Sequence, residues 1–320
     1  MRISINGSAT MVFPSVPNAL ADLRATKAEG FAGYWLAQVG LGDALTVFAA
    51  AGESTDGIEV GTAVIPTFPR HPTALAAQAL TTQAAIPGKL ILGIGLSHQP
   101  SVEGTWKMKW DRPVRHMREY LDVLLPLLAT GSVDATGEFW SAEMAGARPT
   151  ETVPSVMLAA LGPQMLDMAG RRTDGTVLWL VGPRTIAEHI APRINEAAAA
   201  ADRAAPRVVC SLPVCVTDDE AGARALIGQF LDGYQDLPSY RAMLDREGAD
   251  GPADVAIVGT EAQVHDALGL LAAAGTTELI GAADEPRSRG RGAHAPMPPR
   301  LVLELVLVCP ILFLHRLTTV

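Results

Sequence analysis

Alternation is the feature that most restricts what this chain can fold into. Short runs rich in β-branched residues are separated repeatedly by longer Ala- and Leu-rich stretches with helical spacing, the order expected of strand-helix units around a parallel sheet. Eight strands are predicted, at residues 2–6, 33–37, 58–65, 90–95, 155–160, 176–181, 207–216 and 276–282. Helices are predicted near 15–29, 43–53, 73–85, 113–129, 164–171 and 184–204, with two more, 218–246 and 261–274, after the seventh strand. Start and stop signals agree: Pro113 stands where a first-turn proline is tolerated, and Gly30, Gly88, Gly131 and Gly275 fall just past helical stretches. The fold class predicted is α/β, a single (β/α)8 TIM barrel rather than a doubly wound sheet. No dinucleotide-binding glycine fingerprint follows the first strand, and ~250 residues is the usual barrel size.

Composition narrows the partners. With 48% hydrophobic and 18% charged residues, the 320-residue chain can bury a substantial core, which excludes a disordered regulator. The charge of −9 (25 basic, 34 acidic) and the lack of a long basic run in the first 280 residues argue against nucleic acid and for a small-molecule substrate. Cys210, Cys215 and Cys309 lack metal-type pairing, so no metal site is expected and a reducing compartment is. The N-terminus enters strand-like alternation at once, without the plan of a signal peptide, and a cytoplasmic location follows.

Barrel chemistry is built from strand C-terminal ends and the loops that follow them. The third strand runs Gly61-Thr-Ala-Val-Ile-Pro-Thr-Phe-Pro-Arg-His-Pro72, where three prolines in seven residues make a rigid, irregular wall or simply a stiff connection. The fourth runs Leu90-Ile-Leu-Gly-Ile-Gly-Leu-Ser-His98; Gly93 and Gly95 admit either a flat ligand or a neighbouring backbone. Ser97 and His98 then fall where barrel catalytic groups sit, and His98 either moves a proton or holds a carbonyl. The fifth and sixth strands end in Ala160-Leu161-Gly162-Pro163 and Val181-Gly182-Pro183, two strand-Gly-Pro-helix junctions that suit an anion such as phosphate and also occur as ordinary turns. His116 and Glu119 share a helical face with no second copy, which reads as a solvated face rather than a di-metal centre. Trp106 and Trp110 form either a lid or packing over the barrel mouth.

Together with Trp110-Asp-Arg-Pro-Val-Arg-His-Met-Arg-Glu-Tyr120 and Ala169-Gly-Arg-Arg-Thr-Asp-Gly175, these motifs resemble the luciferase-like monooxygenase superfamily, in particular its subgroup using the deazaflavin coenzyme F420. The resemblance runs from Met1 to about Asp284 and implies a barrel of the bacterial luciferase-like type. It also implies a non-proline cis peptide at Ala63 and Val64 that presses on the cofactor ring. Coenzyme phosphate is then expected on the backbone at Ala160, Leu161, Gly162, Pro163, Val181 and Gly182, with Ser97 also at the cofactor and a homodimer as the assembly. Sugar-phosphate dehydrogenases of this family carry a Glu proton donor where this chain has His98, and an Asp-His pair where it has Gln38, so that reaction is not expected. His98 is instead expected to bond the substrate or supply a proton during hydride transfer, and Gln38 to orient the ring.

The leading function is an F420-dependent oxidoreductase moving a hydride between the deazaflavin and a small organic substrate. The alternatives are an FMN-dependent luciferase-like monooxygenase and a non-catalytic cofactor-binding barrel on the same fold.

Residues 285–320 stand apart from the barrel at 1–284: a Pro-, Arg- and Gly-rich stretch leads into Leu301–Leu314, an apolar run interrupted by Glu304 and Pro310. Its fourteen residues fall short of the ~20 a membrane span needs, so this atypical tail reads as a replaced or frame-altered terminus and no membrane partner is expected. A chain ending at Asp284 is expected to be less soluble than the full chain if the tail packs in place of the barrel's eighth helix. Greater solubility on truncation would show an exposed, adhesive tail.

Overall fold

In chain order the strands are β1 (Arg2–Asn6), β2 (Gly33–Leu36), β3 (Glu59–Thr62), β4 (Ile65–Pro66), β5 (Lys89–Gly95), β6 (Ser132–Ala135), β7 (Ala142–Ala145), β8 (Ser155–Leu158), β9 (Gly175–Trp179), β10 (Arg207–Val216), β11 (Ile257–Gly259) and β12 (Glu278–Ala282). This computed structural model describes residues 1–12 and 14–282. The tail expected over 285–320 therefore lies outside the described residues. Parallel pairing runs β1-β2-β3-β5-β8-β9-β10-β12 and returns to β1, closing an eight-stranded ring in which no barrel strand keeps a free edge. β4 continues β3 past a break and pairs with β5.

The barrel lumen is filled in layers. At its N-terminal end the Glu278 carboxylate, with no solvent exposure, accepts from Ser4 Oγ at 2.6 Å and Trp35 Nε1 at 3.0 Å and pairs with Arg207. Arg207 and Arg2 also grip Glu59, at 3.0 and 2.7 Å. Burial opposes the charge on Glu59, but the two guanidinium groups outweigh it and hold the carboxyl below its usual range. Above this layer Trp35, Ile91, Met157, Val177, Val209 and Ile280 form a dry plug. Trp35 lies flat across Gly61, where a Cβ would fall 2.3 Å from its ring.

The helices cover the outside. Helix Pro113–Thr130 presents Met117, Tyr120, Leu121, Leu124 and Leu128 at three- and four-residue spacing and buries all of them, each such side chain contributing roughly 1.5–3 kcal/mol. Its end is set by Gly131, whose φ of +76° lets its N–H reach the Leu127 carbonyl. Among the described residues no helix is long and apolar enough to cross a membrane.

Four sequence expectations change. The strand expected as continuous over 58–65 is divided into β3 and β4, and the cis peptide expected at Ala63-Val64 lies between them. The helix expected over 218–246 is two, Glu220–Leu231 and Pro238–Glu247, with a 3₁₀ turn Asp232–Tyr234 between them, because Gly233 and Pro238 interrupt it. The helix expected over 184–204 has a π turn at Ile186–Ile190, since Pro192 lacks the N–H that would close on Glu188. Residues 132–145, between the helix expected over 113–129 and the strand expected over 155–160, hold the antiparallel hairpin β6-β7, and β11 extends the upper half of β10 outside the ring.

His116 and Glu119 do not form a solvated face. Both are buried where the hairpin excursion meets the barrel wall: Glu119 accepts from the Phe139 amide at 2.6 Å and the Trp140 amide at 3.3 Å, and from Arg115 at 2.8 Å. The imidazole of His116 stacks on Phe68, with ring centres 4.0 Å apart, and meets the edges of Phe139 and Trp140. Burial in this aromatic box depresses its pKa to about 4, against the pull of Glu119.

Two outcomes follow. Glu278→Ala leaves Arg207 and the Trp35 indole without their buried partner and is expected to cost about 3–5 kcal/mol in urea unfolding. The lowered His116 pKa means the unfolded chain takes up a proton near pH ~6.5 that the folded chain refuses until about pH 4. Its contribution to stability is therefore complete above pH ~6.5 and falls by about 3 kcal/mol as pH drops towards 4. His116→Phe should flatten that part of the stability profile.

Candidate active site

A cavity of about 1440 Å³ opens at the C-terminal ends of the barrel strands, the face on which barrel chemistry is built. Val177, from the apolar plug, lines its floor, and one wall is the break between β3 and β4. The backbone there swings inward against β5, where a Cβ on Gly93 would sit 1.9 Å from the Thr62 carbonyl oxygen. One on Gly95 would sit 2.8 Å from Val64 Cγ2. The two glycines thus serve the close approach of a neighbouring strand. Ala63, Val64, Ala159 and Ala160 line the resulting wall with small apolar side chains.

His98 and Ser97 line the cavity just past β5. Ser97 has φ +64°, a left-handed conformation uncommon for a residue with a Cβ. It turns the chain so that the His98 carbonyl accepts from the amides of Ser101 and Val102, both at 3.0 Å. The imidazole sits in an aromatic corner, edge-on to Tyr234 at 5.9 Å and Tyr240 at 5.6 Å, with Trp179 beyond Tyr234. Burial lowers the His98 pKa, favouring the neutral ring that can accept a proton at neutral pH.

Gln38 also lines the cavity, but its amide is committed to its own loop: Nε2 donates to the Gly42 carbonyl and Oε1 accepts from the Ala44 amide. The two Gly-Pro junctions differ. Leu161 and Gly162 line the cavity, the Leu161 carbonyl is held by His189 Nε2 at 2.9 Å, and among the described residues no side chain caps helix Pro163–Arg172. At the second junction the Glu247 carboxylate accepts from the amides of Arg184 and Thr185 at 3.1 and 2.7 Å and fills the space a Cβ on Gly182 would need. Neither Val181, Gly182 nor Pro163 lines the cavity. Val181 is buried, and its carbonyl faces Cys210.

Trp106 and Trp110 line the mouth, with Trp110 stacked on Phe68 at 5.3 Å. Sequence reasoning missed Trp179, Tyr234 and Tyr240. The Gly233 and Pro238 that break the long helix were the available signal that this segment turns inward.

The likeness to known proteins agrees with this layout. The description of the luciferase-like monooxygenase family matches residues 5–278. An uncharacterized protein of Mycobacterium tuberculosis is 30% identical over 254 residues, which are 73% of this chain and 74% of that protein. The F420-dependent glucose-6-phosphate dehydrogenase of Mycolicibacterium smegmatis is 32% identical over 185 residues, 55% of this chain and 54% of that enzyme. In three dimensions the coenzyme F420-dependent tetrahydromethanopterin reductase of Methanopyrus kandleri superposes with a TM-score of 0.73 at 19% identity, covering 88% of this chain and 92% of that one, which shows the shared fold. The chain therefore belongs to the luciferase-like monooxygenase family and is an oxidoreductase.

Proposed function

We propose that this enzyme uses coenzyme F420, bound at the barrel mouth, to carry out a two-electron oxidation or reduction of a small organic substrate. The observation that carries this reading is the wall of small apolar side chains, Ala63, Val64, Ala159 and Ala160, which shares with His98 a cavity larger than the ~300–1,000 Å³ of most ligand sites. It is supported by the names of relatives about one-third identical.

The residues present fit such a group. Ala63, Val64 and Ala160 offer a smooth face for a planar ring, and Ser97 sits at its edge. Leu161 and Gly162 approach with no side chain in the way, and the uncapped start of helix Pro163–Arg172 presents amide donors suited to the coenzyme phosphate. With Glu247 on the second set of amides and neither Val181 nor Gly182 on the cavity wall, the coenzyme phosphate is assigned to the first junction alone. When bound, the deazaflavin supplies the hydride chemistry. The imidazole of His98 accepts or returns the substrate proton at a ring nitrogen, Trp106 and Trp110 exclude water at the mouth, and Gln38 holds its loop against the ring edge.

Titration of purified protein with F420 and with FMN, read by tryptophan fluorescence, is expected to show saturable quenching by F420 at lower concentration, since Trp106, Trp110 and Trp179 line the cavity. Tighter binding of FMN would make the monooxygenase reading the better one. Binding of F420 without any change in its absorbance across a substrate panel would favour a non-catalytic barrel. His98→Ala should lower turnover about 100-fold with F420 binding retained. Turnover that depends on His98 as base should decline as pH falls below its lowered pKa. Undiminished turnover in the variant would remove His98 from the reaction.

A further inference from the structure

The upper cavity beyond His98 has a chemistry of its own. Its outer wall is helix Glu220–Leu231, which buries only Ala223. Leu226, Ile227, Phe230 and Leu231 instead line the cavity, and Phe230 is 40% exposed. A helix that leaves this apolar face towards a pocket gains stability when an apolar body fills the space. The His98 corner adds Tyr234, Tyr240 and Trp179, large rings with little conformational freedom to lose on binding.

The charges point the same way. Among the described residues lining the cavity, Arg70 is the only Arg or Lys; its Nη2 is paired with Asp43 at 2.8 Å, and its Nη1 is buried without a hydrogen-bond partner. Asp236, in the segment that carries Tyr234 and Tyr240, and Glu103 also line the cavity and would repel an anionic substrate there, apart from the Leu161-Gly162 junction assigned to the coenzyme phosphate. The second Gly-Pro junction, whose amides would suit a phosphate, is already filled by Glu247.

We propose that the substrate is an uncharged, mainly apolar organic molecule that packs against Phe230, Ile227 and the Tyr234-Tyr240 pair and presents its polar group to His98, and that phosphorylated substrates are excluded. The proposal rests on the oxidoreductase reading of this site, with Phe230 as a specificity-determining residue.

The test uses the full chain and two separate signals. F420 is titrated first by tryptophan quenching, and the uncharged fluorophore N-phenyl-1-naphthylamine is then titrated by its own emission, with and without the coenzyme. The fluorophore is expected to saturate, to be insensitive to added glucose 6-phosphate, and to bind about tenfold more weakly to Phe230→Ser. The coenzyme titration and the melting temperature of that variant should be unchanged. Competition by glucose 6-phosphate, or equal fluorophore affinity in Phe230→Ser, would overturn the proposal. Loss of the F420 signal with fluorophore binding intact would instead overturn the cofactor reading and leave the apolar subsite standing.

Discussion

The barrel depends on the charged layer at its N-terminal end. Glu278 on β12 touches Ser4 on β1, Trp35 on β2 and Arg207 on β10, and Arg207 and Arg2 carry the network on to Glu59 on β3. Strands far apart in sequence are thereby tied at the end where the ring closes. Burying these charges is costly, and the layer is stable only because each carboxylate meets several donors at once. It also sets the height of the layers above: Trp35 is held by its indole N–H, lies across Gly61, and packs in the apolar plug, whose Val177 lines the floor of the cavity.

Above that floor the mouth is shaped by backbone rather than by long side chains. The bulge between β3 and β4 needs space inside the ring, and Gly93 and Gly95 provide it on the adjoining strand. The resulting wall is smooth and apolar. Polar chemistry is concentrated at the ends of the neighbouring strands β5 and β8, where His98 and the open Gly162 junction line the same cavity. Parallel strands bring these ends to one face, so residues from distant segments converge there.

The outer excursions are held by separate means. The β6-β7 hairpin is tied through Glu119 and the aromatic stack around His116, a buried neutral imidazole whose partners are rings rather than hydrogen-bonding groups. The segment after β10 packs lightly, with one buried residue in helix Glu220–Leu231, which suits a wall that adapts to what it encloses.

The sequence by itself determined the eight strands of the ring, most of the covering helices and the family, because strand and helix periodicities and Gly-Pro junctions are local signals written in neighbouring residues. β10 is found where it was expected, at 207–216, with Pro213 inside it. It also placed Ser97, His98 and the first junction at the mouth. Only the tertiary structure decided what each group meets. The spacing of His116 and Glu119 is the same on a wet face as on a buried one, and the hairpin that covers them comes from residues beyond the helix. Val181-Gly182-Pro183 reads like Leu161-Gly162-Pro163, yet Glu247, more than sixty residues on, takes the amides of one junction and leaves the other open. Contacts between segments far apart in the chain depend on how the closed ring folds them together, and no local pattern records them.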